Sequence, residues 1–346
     1  MDLCRFEHIR QCISQLPGST VVQHLKFIDC STRQIVPAKN AAYVTLSYVW
    51  GQIDQDIEYS KQVQRNLPRT IEDALQVTLD LGFQYLWIDR YCINQQDKGH
   101  AYSQMSQMDL IYQNSEVTIV AAAGRDPNYG LPGVSERKRR RQAQAMIGST
   151  VFTNPLKSTD ALIANSEWDG RAWTYQEGLL ARRLLLFTDD QVYFQCHYMH
   201  CYEAHQSLTE AQRSVSGKQT VQGIRPRISP ATGVFPNRID TGKNSICQRI
   251  TEYSRRSLTR QSDRLNAFLG ILEFLRREAL TIAGGRPFCI IPPTNLHLHH
   301  HWEQVRDSYA AFAGQVLLLS SRTKTENHIF RVGHGLVGLD LWTSNT

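Results

Sequence analysis

The sequence predicts an α/β fold, a mostly parallel sheet flanked by helices, with a helical and irregular C-terminal extension. Three observations predict it. Short runs rich in β-branched and aromatic residues alternate with stretches of helical periodicity between residues 41 and 124. The links between them are short, the pattern of successive strand–helix–strand units. Apolar runs also stop at Gly51, Gly82 and Gly124, where glycine closes an element.

Taken in order, "HLKFIDCSTRQIV" (24–36) reads as two short strands around a Ser-Thr turn, and "AAYVTLSYVWG" (41–51) as a buried strand. "LPRTIEDALQVTLDLG" (67–82) is the best-marked helix. Thr70 and Asp73 have capping-box spacing, Ile71, Ala74, Leu75, Thr78 and Leu79 recur on one face, and Gly82 ends it. "FQYLWID" (83–89) follows as a strand, with Trp87 assigned to packing beside Tyr43 and Leu46. "RYCINQQD" then opens a polar helix reaching Tyr112, and "EVTIVAAAG" (116–124) is the next strand.

The Gly-, Pro- and Arg-rich segment 125–144 is expected to be an exposed excursion, and "AQAMIGSTVF" (143–152) a further strand. A helix from Thr174 to Ala181 precedes "RLLLFTDDQVYFQC" (183–196), a hairpin turning at Asp189-Asp190. Beyond Tyr202 the texture changes to a loop rich in Gln, Ser, Gly and Pro, then to two helices within 244–280 broken near Thr259. The implied organisation is lead-in strands over 1–40, a domain over 41–197, a linker-like loop over 198–243 and a mixed extension over 244–346.

The bulk properties narrow the function classes. With 346 residues the chain suits two domains, or one with a large appendage, and its mean hydropathy of -0.38 is that of a soluble globular protein. No apolar run reaches the ~18 residues of a membrane span. The N-terminus "MDLCRFEHIRQCISQLPG" carries acids and no signal-peptide core. Eight cysteines without a CxxC pair argue against a disulfide framework or a zinc ribbon and point to a reducing, cytoplasmic setting; no metal ligands are expected. "CHYMHC" (196–201) is too compact for four ligands to converge on one zinc, and "HLHHHW" (297–302) reads as surface. The net charge of +6 gathers in "ERKRRRQ" (136–142). That run reads as a solvated, mobile loop, with nuclear entry as the alternative. Without an aromatic-interleaved basic face, no specific nucleic-acid partner is expected.

The stretch "GRAWTYQEGLLARRLLLF" (170–187) sets Trp173 and Glu177 one helical turn apart. Either the tryptophan is core and the glutamate a surface helix-former, or a carboxylate is held against an aromatic wall that shifts its pKa or aims it at a ligand. In an open α/β sheet ligands bind beyond the carboxyl ends of the strands. Those ends carry Ser47, Tyr48 and Trp50, then Asp89, Arg90 and Tyr91. Such a set suits a dinucleotide: Trp50 or Trp173 to stack a flat ring, Arg90 or Arg171 to pair phosphates, Glu177 to grip ribose hydroxyls. Asp89 is a second candidate carboxylate, with helix capping or an ion pair as its plainer role. "AAAGRDPNYGLPG" lacks Rossmann or Walker spacing, and Cys92, with no histidine near it in sequence, reads as a packing residue.

Four segments, "YVTLSYVWG" (43–51), "LPRTIEDALQVTLDLGFQYLWIDRYCINQQD" (67–97), "IYQNSEVTIVAAAG" (111–124) and residues 170–187, resemble in order and spacing the heterokaryon-incompatibility (HET) domain of filamentous fungi. "YSRRSLTRQSDRLNAFLGI" (253–271) is similar to the helical segment that commonly follows it. The resemblance implies a role in fungal non-self recognition, in which such domains trigger programmed cell death, a form of innate immunity. It also implies a distant likeness to the TIR domain, a flavodoxin-like fold. Some TIR domains cleave NAD with a helical glutamate in a Trp-Cys-x-x-Glu pattern. Trp173-Thr174-Tyr175-Gln176-Glu177 repeats that spacing, with threonine in place of cysteine. Two readings stand. One is a hydrolase with NAD as substrate, no required cofactor and Glu177 as its catalytic group. The other is a non-catalytic module that self-associates or recruits another incompatibility or receptor protein, with Glu177 paired to Arg171 or Arg182.

Overall fold

The computed structural model describes Cys4, Cys12 and residues 22–38, 40–51, 62–63, 66–154, 156–157, 159–197, 200–203, 234–235 and 243–282. The chain forms two compact units, Met1–Ile239 with Glu252–Phe274, and Asp240–Thr251 with Leu275–Thr346. Most of the predicted loop after Tyr202, and the histidine-rich "HLHHHW", lie outside the described residues.

Strand β1 (Lys26–Asp29) and strand β2 (Ile35–Pro37) form an antiparallel hairpin. Its turn is built by Asp29, whose carboxylate accepts from the Ser31 and Thr32 amides, and by Arg33 at a positive φ of 59°. β3 (Tyr43–Ser47) is buried on both faces, as a continuous apolar strand of a parallel sheet must be. Helix α1 (Arg69–Asp80) lays Ile71, Ala74 and Leu75 on the core and hands to β4 (Tyr85–Trp87).

The expected capping box is not there. Pro68 holds the N-cap position with no side-chain bond. Thr70 and Asp73 instead turn to the loop after β5: the Gly130 amide donates to Thr70, and the Leu131 amide and Ser135 hydroxyl donate to the Asp73 carboxylate at 2.7 and 2.6 Å. Gly130 sits at φ +83°, and an added Cβ would press on Asp73 and Arg69. The segment 125–144 is largely exposed, as expected, but it is pinned to the body where Pro127, Gly130, Leu131 and Pro132 are buried.

The basic run keeps most of its residues exposed, as a solvated loop does, yet three of its arginines are tethered. Arg137 stacks 3.7 Å over the Tyr129 ring, Arg139 pairs with Glu203, and Arg140 reaches Asp189 and Asp190 at 3.2 and 3.6 Å.

The single polar helix expected after β4 is three: α2 (Asp89–Cys92), α3 (Lys98–Met105), N-capped by the Asp97 carboxylate, and α4 (Met108–Asn114). β5 (Val117–Ala121) is fully buried. The segment 143–152 is not one strand but a hairpin of β6 (Gln144–Ile147) and β7 (Thr150–Thr153), turned with Gly148 at φ 62°. Next come α5 (Thr159–Ala164), α6 (Ala172–Leu180), β8 (Arg183–Phe187), β9 (Val192–Cys196) and β10 (His200–Tyr202). Helices α7 (Lys243–Ser254) and α8 (Asn266–Ile282) complete the described elements, separated around Thr259 as the sequence suggests.

Eight strands form one mixed sheet in the order β10-β9-β8-β5-β3-β4-β1-β2. β4, β3, β5 and β8 are parallel, and antiparallel strands extend both flanks. Numbered along the chain, the parallel strands lie in the order second, first, third, fourth, the doubly wound order of flavodoxin-like sheets. The chain reverses its direction of winding between β3 and β5. No helix among the described residues is long and apolar enough to cross a membrane.

Candidate active site at the switch point of the sheet

Where the winding reverses, the loops leaving the two strands part in opposite directions and open a crevice at their carboxyl ends. Ser47 closes β3 at that point, and Asp89 begins α2 just beyond the end of neighbouring β4. Helix α6 packs across β3 and β5 and lowers Glu177 onto Ser47. The Ser47 hydroxyl donates to Glu177 Oε2 at 2.5 Å and accepts from the Trp168 indole at 2.7 Å. Gly178 leaves room on the helix for the Phe235 ring and Trp168, which an added Cβ would meet.

The second carboxylate is held differently. Asp89 accepts from Trp50 Nε1 at 3.2 and 3.1 Å and from the Arg90 amide at 2.7 Å, and it is only partly buried. The Arg90 guanidinium lies 5.3 Å from the Trp50 ring centre, within cation–π range. The structure thus brings Ser47, Tyr48, Trp50, Asp89, Arg90 and Glu177 into one neighbourhood, and Arg171 lies close enough to favour ionisation of both carboxylates. Trp173 is half-buried against the main core cluster. Trp168 is the indole joined to Glu177 through Ser47.

The electrostatics oppose charge on both acids. Burial, then the nearby Asp89, pushes Glu177 up to about 8, against the opposing pull of the Ser47 hydrogen bond and Arg171. Burial likewise raises Asp89 to about 6, while its backbone bond, Arg171, Trp50 and Arg90 pull the other way. The ion pair of Glu177 with Arg182 does not form. Arg182 instead donates to the Asn114 and Ser115 carbonyls and reaches Glu116 at 3.7 Å. Nor does a hydrogen bond join Glu177 to Arg171 among the described residues.

Around the two acids stand buried polar atoms without hydrogen-bond partners, the Tyr48 and Tyr112 hydroxyls and Trp87 Nε1. The Tyr112 ring meets Trp87 edge-on at 5.6 Å, and its hydroxyl lies close enough to Glu177 to interact with the carboxylate, though without a well-formed hydrogen bond. Buried orphans of this kind each cost about 1–3 kcal/mol and concentrate at functional sites. Cys92 is different in kind: burial pushes its thiol up to about 12, which leaves it neutral and suited to packing.

Trp168 and Tyr112 escaped the sequence reading. Tyr112 marked only the end of a helix, and Trp168 lies in the loop before α6, outside any periodic pattern. Its partner Ser47 is 121 residues away, a separation that leaves no local trace.

Residues 43–177 match the family model "Heterokaryon incompatibility protein (HET)". The matched span runs from the first residue of β3 to Glu177 itself. No curated protein and no solved structure matches the chain. That span, less than half of the chain, resembles a HET domain, and the likeness suggests a role in heterokaryon incompatibility.

Proposed function

We propose that this chain is a cell-death effector of non-self recognition that acts by cleaving NAD at Glu177. The observation that carries the reading is the pair of carboxylates with raised pKa values, about 8 and about 6, at the switch point beside Trp50, Arg90 and Arg171.

In this reading Trp50 stacks a flat ring of the dinucleotide and the two arginines neutralise its pyrophosphate. The cationic nicotinamide–ribose half lies against Glu177. A positive charge arriving there replaces the missing counter-charge, lowers the pKa of Glu177 and ionises it. The bond between the ribose anomeric carbon and the nicotinamide nitrogen breaks, and its electron pair leaves with neutral nicotinamide. The carboxylate stabilises the oxocarbenium-like sugar, and water then adds to give ADP-ribose and a proton. No general acid is needed, because the leaving group is already a cation.

The test is nicotinamide release from NAD by purified protein, wild type against Glu177→Gln, dilute and forced into oligomers. Release by the wild type, lost by ~10²-fold or more in the variant with unchanged circular dichroism, supports the proposal. The rate at low NAD is expected to rise with pH through about 8, because free Glu177 must lose its proton to act. Absence of release in both states, while expression still kills cells, refutes it.

One observation favours a second reading, a module acting through self-association. The β6–β7 hairpin exposes Met146, Ile147, Val151 and Phe152 at 74, 67, 54 and 53 %. Apolar residues gathered on a two-stranded ribbon suit addition of the same hairpin from a second copy. Phe152→Asp would then lower the association state in sedimentation and abolish killing without touching Glu177.

A further inference from the structure

The edge of the sheet farthest from β2 carries a cluster of sulfur. Cys196 ends β9, and Cys201 on β10 lies opposite Phe194, two residues before Cys196, so both cysteines project from the same face. Cys4 and Cys12 come to that face from the start of the chain. The Sγ atoms of Cys4, Cys12 and Cys196 all lie within 4.8 Å of one another, and all three residues are buried. The three are thiols rather than disulfides, and Cys201 packs against them from its partly buried position.

A purely apolar role does not account for what surrounds them. Arg183 is the cross-strand partner of Cys196 on β8, and its Nε donates to Cys4 Sγ at 3.1 Å. A buried guanidinium aimed at sulfur asks for an electron-rich acceptor, a thiolate more than a thiol.

Four sulfurs at about 2.3 Å around a tetrahedral zinc stand roughly 3.8 Å apart, so three already within 4.8 Å need only a small contraction. We propose that Cys4, Cys12 and Cys196 form a thiolate site for a structural zinc ion, with Cys201 supplying the fourth ligand from the same face of the sheet. Binding displaces the thiol protons that remain, and the Arg183 N–H becomes a bond to a metal-held sulfur that offsets the negative charge of the site. The ion would fasten Cys4 and Cys12 to the β8–β9–β10 edge. The spacing defeats a motif search, because 183 residues lie between Cys12 and Cys196.

The experiment uses the full chain, purified under reducing conditions from zinc-supplemented cells. Zinc near one equivalent by mass spectrometry is expected, lost in Cys4→Ser and Cys196→Ser and kept in Cys30→Ser, whose thiol lies in the separate main core. Because a serine variant can fail to fold, wild-type protein stripped of metal is also titrated with Co²⁺. Intense thiolate-to-cobalt bands with tetrahedral d–d absorption support the site. Cys201→Ser is expected to weaken zinc by about tenfold or more, and unchanged affinity there overturns the fourth-ligand assignment. Negligible zinc together with no cobalt–thiolate band in the wild type, or full zinc retained in Cys4→Ser, overturns the proposal.

Discussion

Asp73 on α1 and Glu177 on α6 are both buried acids on helices, yet their surroundings are opposite. Asp73 accepts from a backbone amide and a serine hydroxyl of the loop it pins, one donor to each oxygen. Glu177 has one well-formed donor, Ser47, and faces a second carboxylate, with the Tyr112 hydroxyl beside it outside good hydrogen-bond geometry. The first arrangement gives each oxygen a donor and fixes a loop. The second opposes charge, so a cationic ligand would be answered by ionisation. The comparison separates a carboxylate that builds the fold from one that the fold keeps ready to change state.

The largest effect should come from breaking the satisfied side. Asp73→Ala strips the Leu131 amide of its acceptor and releases the loop, at a cost of about 3 kcal/mol in urea denaturation. Nicotinamide release per folded molecule should stay unchanged. If the stability loss is small, the loop is held by other contacts and the contrast with Glu177 fails.

A second effect has the opposite sign. Glu177 is raised from 4.5 to about 8, so below 4.5 the folded and unfolded chains both carry the proton. As pH rises from 4.5 to about 8 the unfolded chain ionises first, and stability falls across that window. With each unit worth about 1.36 kcal/mol, Glu177→Gln should remove more than about 2 kcal/mol of that loss and be the more stable protein at pH 8.5. Asp89, raised from 3.8 to about 6, adds to the slope only at the acid end. Chemical denaturation of both proteins from pH 5 to 9 measures this. Parallel stability curves would mean that Glu177 is already ionised in the fold.

What the sequence made legible follows from range. β3, α1, β4, β5 and the β8–β9 hairpin are written in local periodicity and local turn residues, and they stand where the pattern places them. Glu177 and Asp89 were visible as candidates because strand ends and helix faces are local too. Their partners were not. Thr70 and Asp73 have the spacing of a capping box, but the loop 60 residues on offers them amides of its own, and tertiary contact overrides the local motif. Trp168 meets Ser47, and Cys4 meets Cys196, only after the sheet has closed. The hairpin at 144–153 was half visible: its apolar residues read as strand, but nothing local says that they face outward.

The smallest effect is the sharpest test of the site. The Tyr112 hydroxyl is buried beside Glu177 without a well-formed hydrogen bond, so Tyr112→Phe removes a desolvation penalty and leaves the ring packed on Trp87. Stability should hold or rise by less than about 1 kcal/mol. A hydroxyl idle in the bare protein gains a purpose only when a polar ligand enters beside Glu177. If the crevice binds NAD, KM should rise several-fold in the variant while the fold is no weaker, a combination that a purely structural tyrosine cannot produce. Unchanged KM with unchanged stability would make Tyr112 a packing residue, and the polar reach of the site would end at Ser47.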